Sequence, residues 1–396
     1  MDILIRGGPS LTRGRNMEIE KPKRVFYIGS PELFSRGASA IHIMKMCQAM
    51  ARLGVTTTLL IPTYRSHGEM YQYYGVQSSF KIVSFPYFAN TFARNIIHGV
   101  AAAVYAGKRK GEFDLAVTRN IMFASIATNL YGIPTVYDAH HPLVTGSGML
   151  FHSFKRSRNL VRFTANSRGL GNIYLKEGLP QEKLVVAHNG VDLEGYKSLP
   201  EKAKARADLG LPPDKKIVCY AGNIYQGRGI EYLIDIAPSM NGVKFLVVGG
   251  LEEDVKRCRS LAGEKGAENI KFTSYVSHHM VPLYLAASDI LVMPYTSHMT
   301  IRGGTQAQDF TSPIKLFEYM ASGRPIVATS IPSVSEILED GVNAVLVLPD
   351  SAEALETGIN RALRDPELAE RISRRAAEDV RSYTWEERAK KLLGFD

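Results

Sequence analysis

Residues 309–336 hold the densest set of groups able to do chemistry: Asp309, Ser312, Lys315 and Glu318 stand close together, followed by Gly323-Arg324-Pro325. Ser312 and Pro313 are turn formers, and the residues after them predict a short helix on which Glu318 falls one turn beyond Lys315. A carboxylate on such a helix, facing a cleft, can accept two hydrogen bonds from a ribose diol. The competing use of the same residues is an ordinary Glu318–Lys315 surface pair. Upstream stands Tyr220-Ala221-Gly222-Asn223, then Tyr225-Gln226-Gly227-Arg228-Gly229-Ile230. Arg228 follows a predicted strand, sits between glycines and precedes a helix, a setting suited to gripping a diphosphate, although a solvated loop arginine fits too. Near the start, Gly29-Ser30-Pro31 and Arg36-Gly37-Ala38-Ser39-Ala40 open a helix whose small residues let backbone amides approach an anion. This is not a GxGxxG pattern, which argues against a dinucleotide cofactor.

These groups need elements to hold them. Short β-branched or aliphatic runs alternate with amphipathic stretches, the pattern of βα units around parallel sheets. One series of strands is predicted at 24–29, 56–61, 81–85, 114–117, 135–137, 161–165 and 184–187, with helices over 40–53 and 91–106. After Asn189-Gly190-Val191-Asp192, residues 197–213 read as a linker with a short helix. A second series follows at 216–221, 244–248, 270–272, 290–293, 326–328 and 344–347. Residues 351–395 are helical in pattern and carry the lone Trp385. The expected architecture is α/β: an N-terminal Rossmann-like domain over 23–195, a second over 196–375, and a C-terminal helix over 376–396 that packs back across both. Ligands in such sheets lie at the carboxyl ends of the strands, hence in the cleft between the domains.

Bulk properties narrow the function. The chain has 396 residues, 45% apolar and 22% charged, enough for two cores. No apolar run approaches the roughly 20 residues that a spanning helix needs, and residues 1–22 read as a polar, disordered leader, so a cytoplasmic protein is expected. Cys47, Cys219 and Cys258 are far apart and read as buried thiols, neither a disulfide framework nor a zinc site. Through residue 195 there are 23 basic against 12 acidic residues, and beyond it 25 against 27. A basic first half predicts an anionic partner for that domain, either nucleic acid or anionic lipid. With no nucleic-acid motif in the chain, a membrane surface is the better match.

The run 313–328, PIKLFEYMASGRPIVA, resembles the donor-binding signature of retaining glycosyltransferase family four, in its Ser-Pro-x-Lys-x-Phe-Glu variant. The resemblance extends in order to Asn189-Gly190-Val191-Asp192, Ala221-Gly222, Arg228-Gly229, Tyr275-Val276-Ser277 and Ala287-Ser288-Asp289. It implies a GT-B fold and transfer of a sugar from a UDP- or GDP-linked donor to a lipid-linked or glycan acceptor, with retention and without cofactor or metal. By the same resemblance Glu318 holds the donor ribose and Arg228 the diphosphate. Amides of Ile314 to Leu316, on the Ser312 turn, cup the phosphate and sugar. The main chain near Val276 reads the base, Gly37 and Ala38 close on the phosphate, and His140 contacts the sugar, with His141 as the register alternative. Two positions depart from the family pattern. Phe310 stands where the family has an earlier glutamate, with Asp309 beside it, and Asn223 stands where the family has arginine. The roles are expected to shift to Asp309 and Lys315. Growing charge on the leaving phosphate would then be stabilised by Arg228, Lys315 and loop amides. The polar loop 296–308 is a candidate lid, or plain surface loop. A nucleotide-sugar epimerase or hydrolase, or a non-catalytic binding partner, would share the fold and Glu318.

Overall fold

The computed structural model describes residues 21–34, 38–144, 146–300 and 306–395, with Ala38 described by its backbone alone. Two parallel sheets form it. The first has β1 (Arg24–Ile28), β2 (Thr56–Pro62), β3 (Lys81–Phe85), β4 (Leu115–Thr118), β5 (Thr135–Ala139), β6 (Leu160–Ala165) and β7 (Leu184–Val186). Their order is β3-β2-β1-β4-β5-β6-β7. The second has β8 (Lys216–Ala221), β9 (Val243–Val248), β10 (Ile270–Phe272), β11 (Ile290–Met293), β12 (Ile326–Thr329) and β13 (Val345–Val347), in the order β10-β9-β8-β11-β12-β13. Each expected strand is present, displaced by no more than a residue or two at its ends.

Both faces of the first sheet are covered at its centre, so β1 and β4 are buried over nearly their whole length, whereas the edge strand β3 alternates with exposed positions. Alternate side chains of β1 go to opposite sides: Val25 and Tyr27 pack with Ile43, Met44 and Cys47, while Phe26 and Ile28 pack with Ala102, Ala103 and Phe123. The three cysteines are free and buried, as expected. In each sheet the order reverses next to the central strand, at β1/β4 and at β8/β11, and the loops at those carboxyl ends face each other across a cleft.

The C-terminal helix Trp385–Leu393 returns to the first domain, where Trp385, Ala389, Leu392 and Leu393 join the core built on the helix Ala38–Arg52. Arg162 Nη1 donates to the Leu392 carbonyl at 2.9 Å, and Arg52 pairs with Glu386 at 2.9 Å. The crossing also explains a glycine of the Asn189-Gly190-Val191-Asp192 run. A Cβ at Gly190 would sit 2.5 Å from the Thr384 carbonyl carbon and 2.6 Å from Trp385 N, and Val191 N donates to the Tyr383 carbonyl at 2.9 Å. Among the described residues no helix is long and apolar enough to cross a membrane.

Candidate functional site

A cavity of about 610 Å³ occupies the cleft. The first domain contributes Ile41, Lys45 and residues 72–75; the second contributes Gly222 and Asn223 after β8, Gly249 and Gly250 after β9, and residues 275–279 after β10. Ile314 and Glu318, one turn apart on the helix Ile314–Ala321, complete the wall. That helix is fixed to the sheet by Tyr319, whose hydroxyl accepts the Ala221 amide at 2.7 Å. Four of the residues given a donor role from the sequence therefore meet here, Asn223, Val276, Ile314 and Glu318.

Glu318 is 7% exposed and does not form the surface pair with Lys315 that its spacing allowed. Its Oε1 instead meets His278 Nε2 at 2.6 Å. The Glu318 charge and the hydrogen bond to it hold the His278 imidazole above its ordinary value, against the opposing effect of burial. His278 escaped the sequence reading, and the only signal was its position two residues after Val276.

Lys315 points the other way, behind Gly222. Its Nζ lies 3.8 Å from the centre of the Tyr220 ring and 5.4 Å from that of Tyr295, buried and without a hydrogen-bond partner. Burial, with the nearby Arg228 charge, holds its ammonium well below the usual lysine value. Gly222 has φ +141, and a Cβ there would collide with Lys315 Nζ. Arg228 stacks on the other ring, its guanidinium carbon 4.8 Å from the Tyr295 centre, and Nη1 reaches Met299 Sδ at 2.9 Å. The structure thus brings the two expected cations together on a tyrosine pair, beneath the Gly222 turn and outside the cavity lining.

His140 belongs to a different cluster. Its Nε2 lies 3.0 Å from Asp138 Oδ2, and Asn166 Nδ2 is 3.4 Å from Nδ1. Asp138 also accepts Thr164 Oγ1 at 2.8 Å and Arg388 Nη2, from the C-terminal helix, at 2.6 Å. Burial opposes ionisation of Asp138, but the Arg388 charge, with hydrogen bonds from His140 and His42, outweighs it and holds the carboxyl well below the carboxylate range. Burial and the Arg119 charge hold His140 well below the usual imidazole value. His42, Asp138 and His140 have ligand atoms within 4.8 Å of one another, a spacing that could suit a metal ion. Arg388 Nη2 already occupies Asp138 and stands 3.2 Å from the same His140 nitrogen, so a guanidinium holds the place of a cation and the cluster does not fit a further one. Ring contacts lead from His140 to His42 and from His42 to Trp385, which lines the cavity. His141 is exposed.

The remaining expected positions lie around the hinge. Ser312 Oγ accepts the Asn189 amide at 2.9 Å, and Asn189 Nδ2 donates to the Ser312 carbonyl at 2.6 Å, tying the two domains together. Leu316 has its side chain in the core and its amide on the Pro313 carbonyl at 3.1 Å. Asp309 is exposed and outside the cavity lining, and Phe310 is buried, its carbonyl accepting Ser167 Oγ at 2.7 Å. Gly37 and residues 301–305 of the candidate lid lie outside the described residues, and Ala38 opens its helix.

Two Rossmann-like domains with a cleft at their strand ends form the GT-B arrangement, and solved structures share it. A glycosyltransferase from Rickettsia africae aligns with TM-score 0.76 at 14% identity, covering 95% of this chain and 98% of that one. Anabaena Alr3699/HepE in complex with UDP-glucose aligns with TM-score 0.72 at 18% identity, covering 94% and 98%. Residues 39–194 match the family described as Glycosyltransferase Family 4, and residues 201–379 match Glycosyl transferases group 1. With both halves matched in order, the chain belongs to the group 1 glycosyltransferases of the family-four type. It is 24% identical to a D-inositol 3-phosphate glycosyltransferase of Streptomyces avermitilis, over 97% of this chain and 89% of that one. An uncharacterized glycosyltransferase of Methanocaldococcus jannaschii, MJ1069, is 26% identical over 198 residues, 49% of this chain and 46% of that protein, so this match spans less than half of that relative.

Proposed function

We propose that the protein transfers a glycosyl group from a UDP- or GDP-linked sugar to a lipid-linked or glycan acceptor, with retention of configuration and without a metal ion. The observation that carries this is Glu318, a buried carboxylate one turn from Ile314 on the wall of a cavity of about 610 Å³, a size suited to a nucleotide sugar. The UDP-glucose held by the Anabaena protein of like fold supports a nucleotide donor. On this reading residues 196–375 bind the donor and residues 23–195 the acceptor, and the helix Trp385–Leu393 crosses back to the first domain. Glu318 takes the ribose diol, Val276 lies at the base, and Asn223 and the first amides of the Ile314–Ala321 helix face the diphosphate. Arg228 and Lys315, beneath the Gly222 turn, stabilise charge growing on the departing phosphate, whose own charge favours the protonated form of Lys315, and that phosphate can take the acceptor proton as the hydroxyl attacks from the same face. The donor-sugar contact of His140 is assigned on the family resemblance alone.

A membrane acceptor draws support from the helix Thr91–Gly107. It contains no acidic residue, exposes Phe92, Ile97, Val100 and Val104, and leads into Lys108-Arg109-Lys110. Arg156 and Arg158 are exposed as well. Each such cation near an anionic surface contributes on the order of 1 kcal/mol. The test of the function is product analysis after incubation with radiolabelled UDP- and GDP-sugars and a membrane lipid extract. Label in a new, larger product with release of the nucleoside diphosphate supports transfer. Label only in free sugar, or in an isomerised nucleotide sugar, would replace it with a hydrolase or an epimerase.

A further inference from the structure

From the cavity wall outward, the carboxyl ends of β1, β2 and β3 present a continuous row of rings to which none of the donor contacts above is assigned. It starts at Tyr73 and Tyr74, which line the cavity. The Phe34 ring lies 4.9 Å from that of Tyr73, and the Arg65 guanidinium carbon lies 5.4 Å from the Phe34 centre and 5.2 Å from that of Tyr64. Tyr64 meets Tyr87 edge to face at 5.4 Å. Tyr64 is 72% exposed and Tyr73 47%.

The row is built rather than incidental. Phe34 has φ +55, which costs a non-glycine residue roughly 1–3 kcal/mol. It is held there from both sides: its amide donates to the Tyr74 hydroxyl at 2.7 Å and its carbonyl accepts the Tyr73 hydroxyl at 3.3 Å. Rings left open to water gain by being covered. The cover that fits is a pyranose, whose axial C–H face stacks on an aromatic ring while its equatorial hydroxyls reach the tyrosine hydroxyls and a guanidinium at the rim. An acyl chain fits poorly, because it would strip water from Arg65 and the tyrosine hydroxyls without replacing their hydrogen bonds.

We infer that Phe34, Tyr64, Arg65, Tyr73 and Tyr87 form a subsite for the saccharide rings of a glycan acceptor, laid along the first domain with its reacting end in the cavity. This rests on the transferase reading above and narrows the acceptor to a saccharide. The test is saturation-transfer NMR on the full chain with maltotriose, cellotriose, chitotriose, methyl β-glucoside and octyl β-glucoside, the last below its micelle concentration. Saturation is expected on sugar-ring protons, with affinity falling roughly five- to tenfold in Tyr64→Ala and kept in Tyr64→Phe. Tighter binding of the octyl than of the methyl glycoside marks a lipid-borne glycan, and equal binding a soluble one. Transfer confined to octyl protons, absent from every saccharide, or unaltered in Tyr64→Ala overturns the subsite. If nucleotide sugars bind while the saccharides do not, the subsite alone fails; if saccharides bind while no nucleotide sugar does, the donor reading fails and the subsite stands.

Discussion

Replacing Arg388 with Met should destabilise the first domain strongly, and more so at high pH. Arg388 and Asp138 are 1% and 0% exposed at their side chains, 2.6 Å apart, and Arg388 Nη1 also donates to the His188 carbonyl at 3.0 Å. Methionine fills much of the same volume but leaves Asp138 ionised, buried and without its main counter-charge. Breaking one side of a buried pair costs about 3–5 kcal/mol. For a unit of this size each kcal/mol moves Tm by roughly 2–4 °C, so a fall on the order of 10 °C is expected at pH 8. His140 stands 3.0 Å from the same carboxylate, with its proton suppressed by burial and by neighbouring cations. With Arg388 removed, the buried Asp138 carboxyl loses the main charge that keeps it ionised and can take up a proton as pH falls, so the deficit should shrink towards pH 6. Calorimetric melts of wild type, Arg388→Met and Arg388→Met/Asp138→Asn between pH 6 and 8 measure this, with the double variant recovering part of the loss. A deficit below about 1 kcal/mol, or one independent of pH, would refute the claim that this ion pair locks the C-terminal helix to the first domain.

Two further outcomes follow. Burial lowers His42 and His98 each to about 3 in the folded state, whereas the unfolded chain takes up those protons near 6.5. The unfolded state therefore binds more protons below pH 6.5, and stability should fall by about 1.4 kcal/mol per pH unit per histidine, near 4 kcal/mol for both at pH 5, as read by denaturant titration. In steady-state kinetics with a turned-over donor, Arg228→Ala and Lys315→Ala should lower kcat more than they weaken donor binding, because both act on the leaving phosphate, and EDTA should leave wild-type turnover unchanged.

The central strands were legible because parallel strands buried on both faces read as apolar runs, as in β8 and β11, which begin and end where those runs do. Glu318 and Ile314 were legible from helical spacing behind a turn. What spacing cannot show is which residues a fold brings together from far apart. Arg388 sits in a tail read only as helix, and its partner Asp138 is 250 positions away. Tyr220 and Tyr295 read as ordinary residues of, or just past, their strands, yet they form the platform on which Lys315 and Arg228 rest. His278 has no periodic signature, since it enters the site through the turn after β10. The roles expected of Asp309 and Lys315 separate in space: Lys315 joins Arg228, whereas Asp309 faces solvent at the hinge.

The claim that this cleft binds a nucleotide sugar through Glu318 is tested most directly by calorimetric titration of wild type and Glu318→Ala with UDP-glucose, UDP-galactose, UDP-N-acetylglucosamine and GDP-mannose. A carboxylate holding a ribose diol contributes about 1.5–3 kcal/mol, so at least one donor should bind the wild type and bind the variant roughly 10- to 150-fold more weakly. Binding of none of them, or equal affinity in both proteins, would contradict the account.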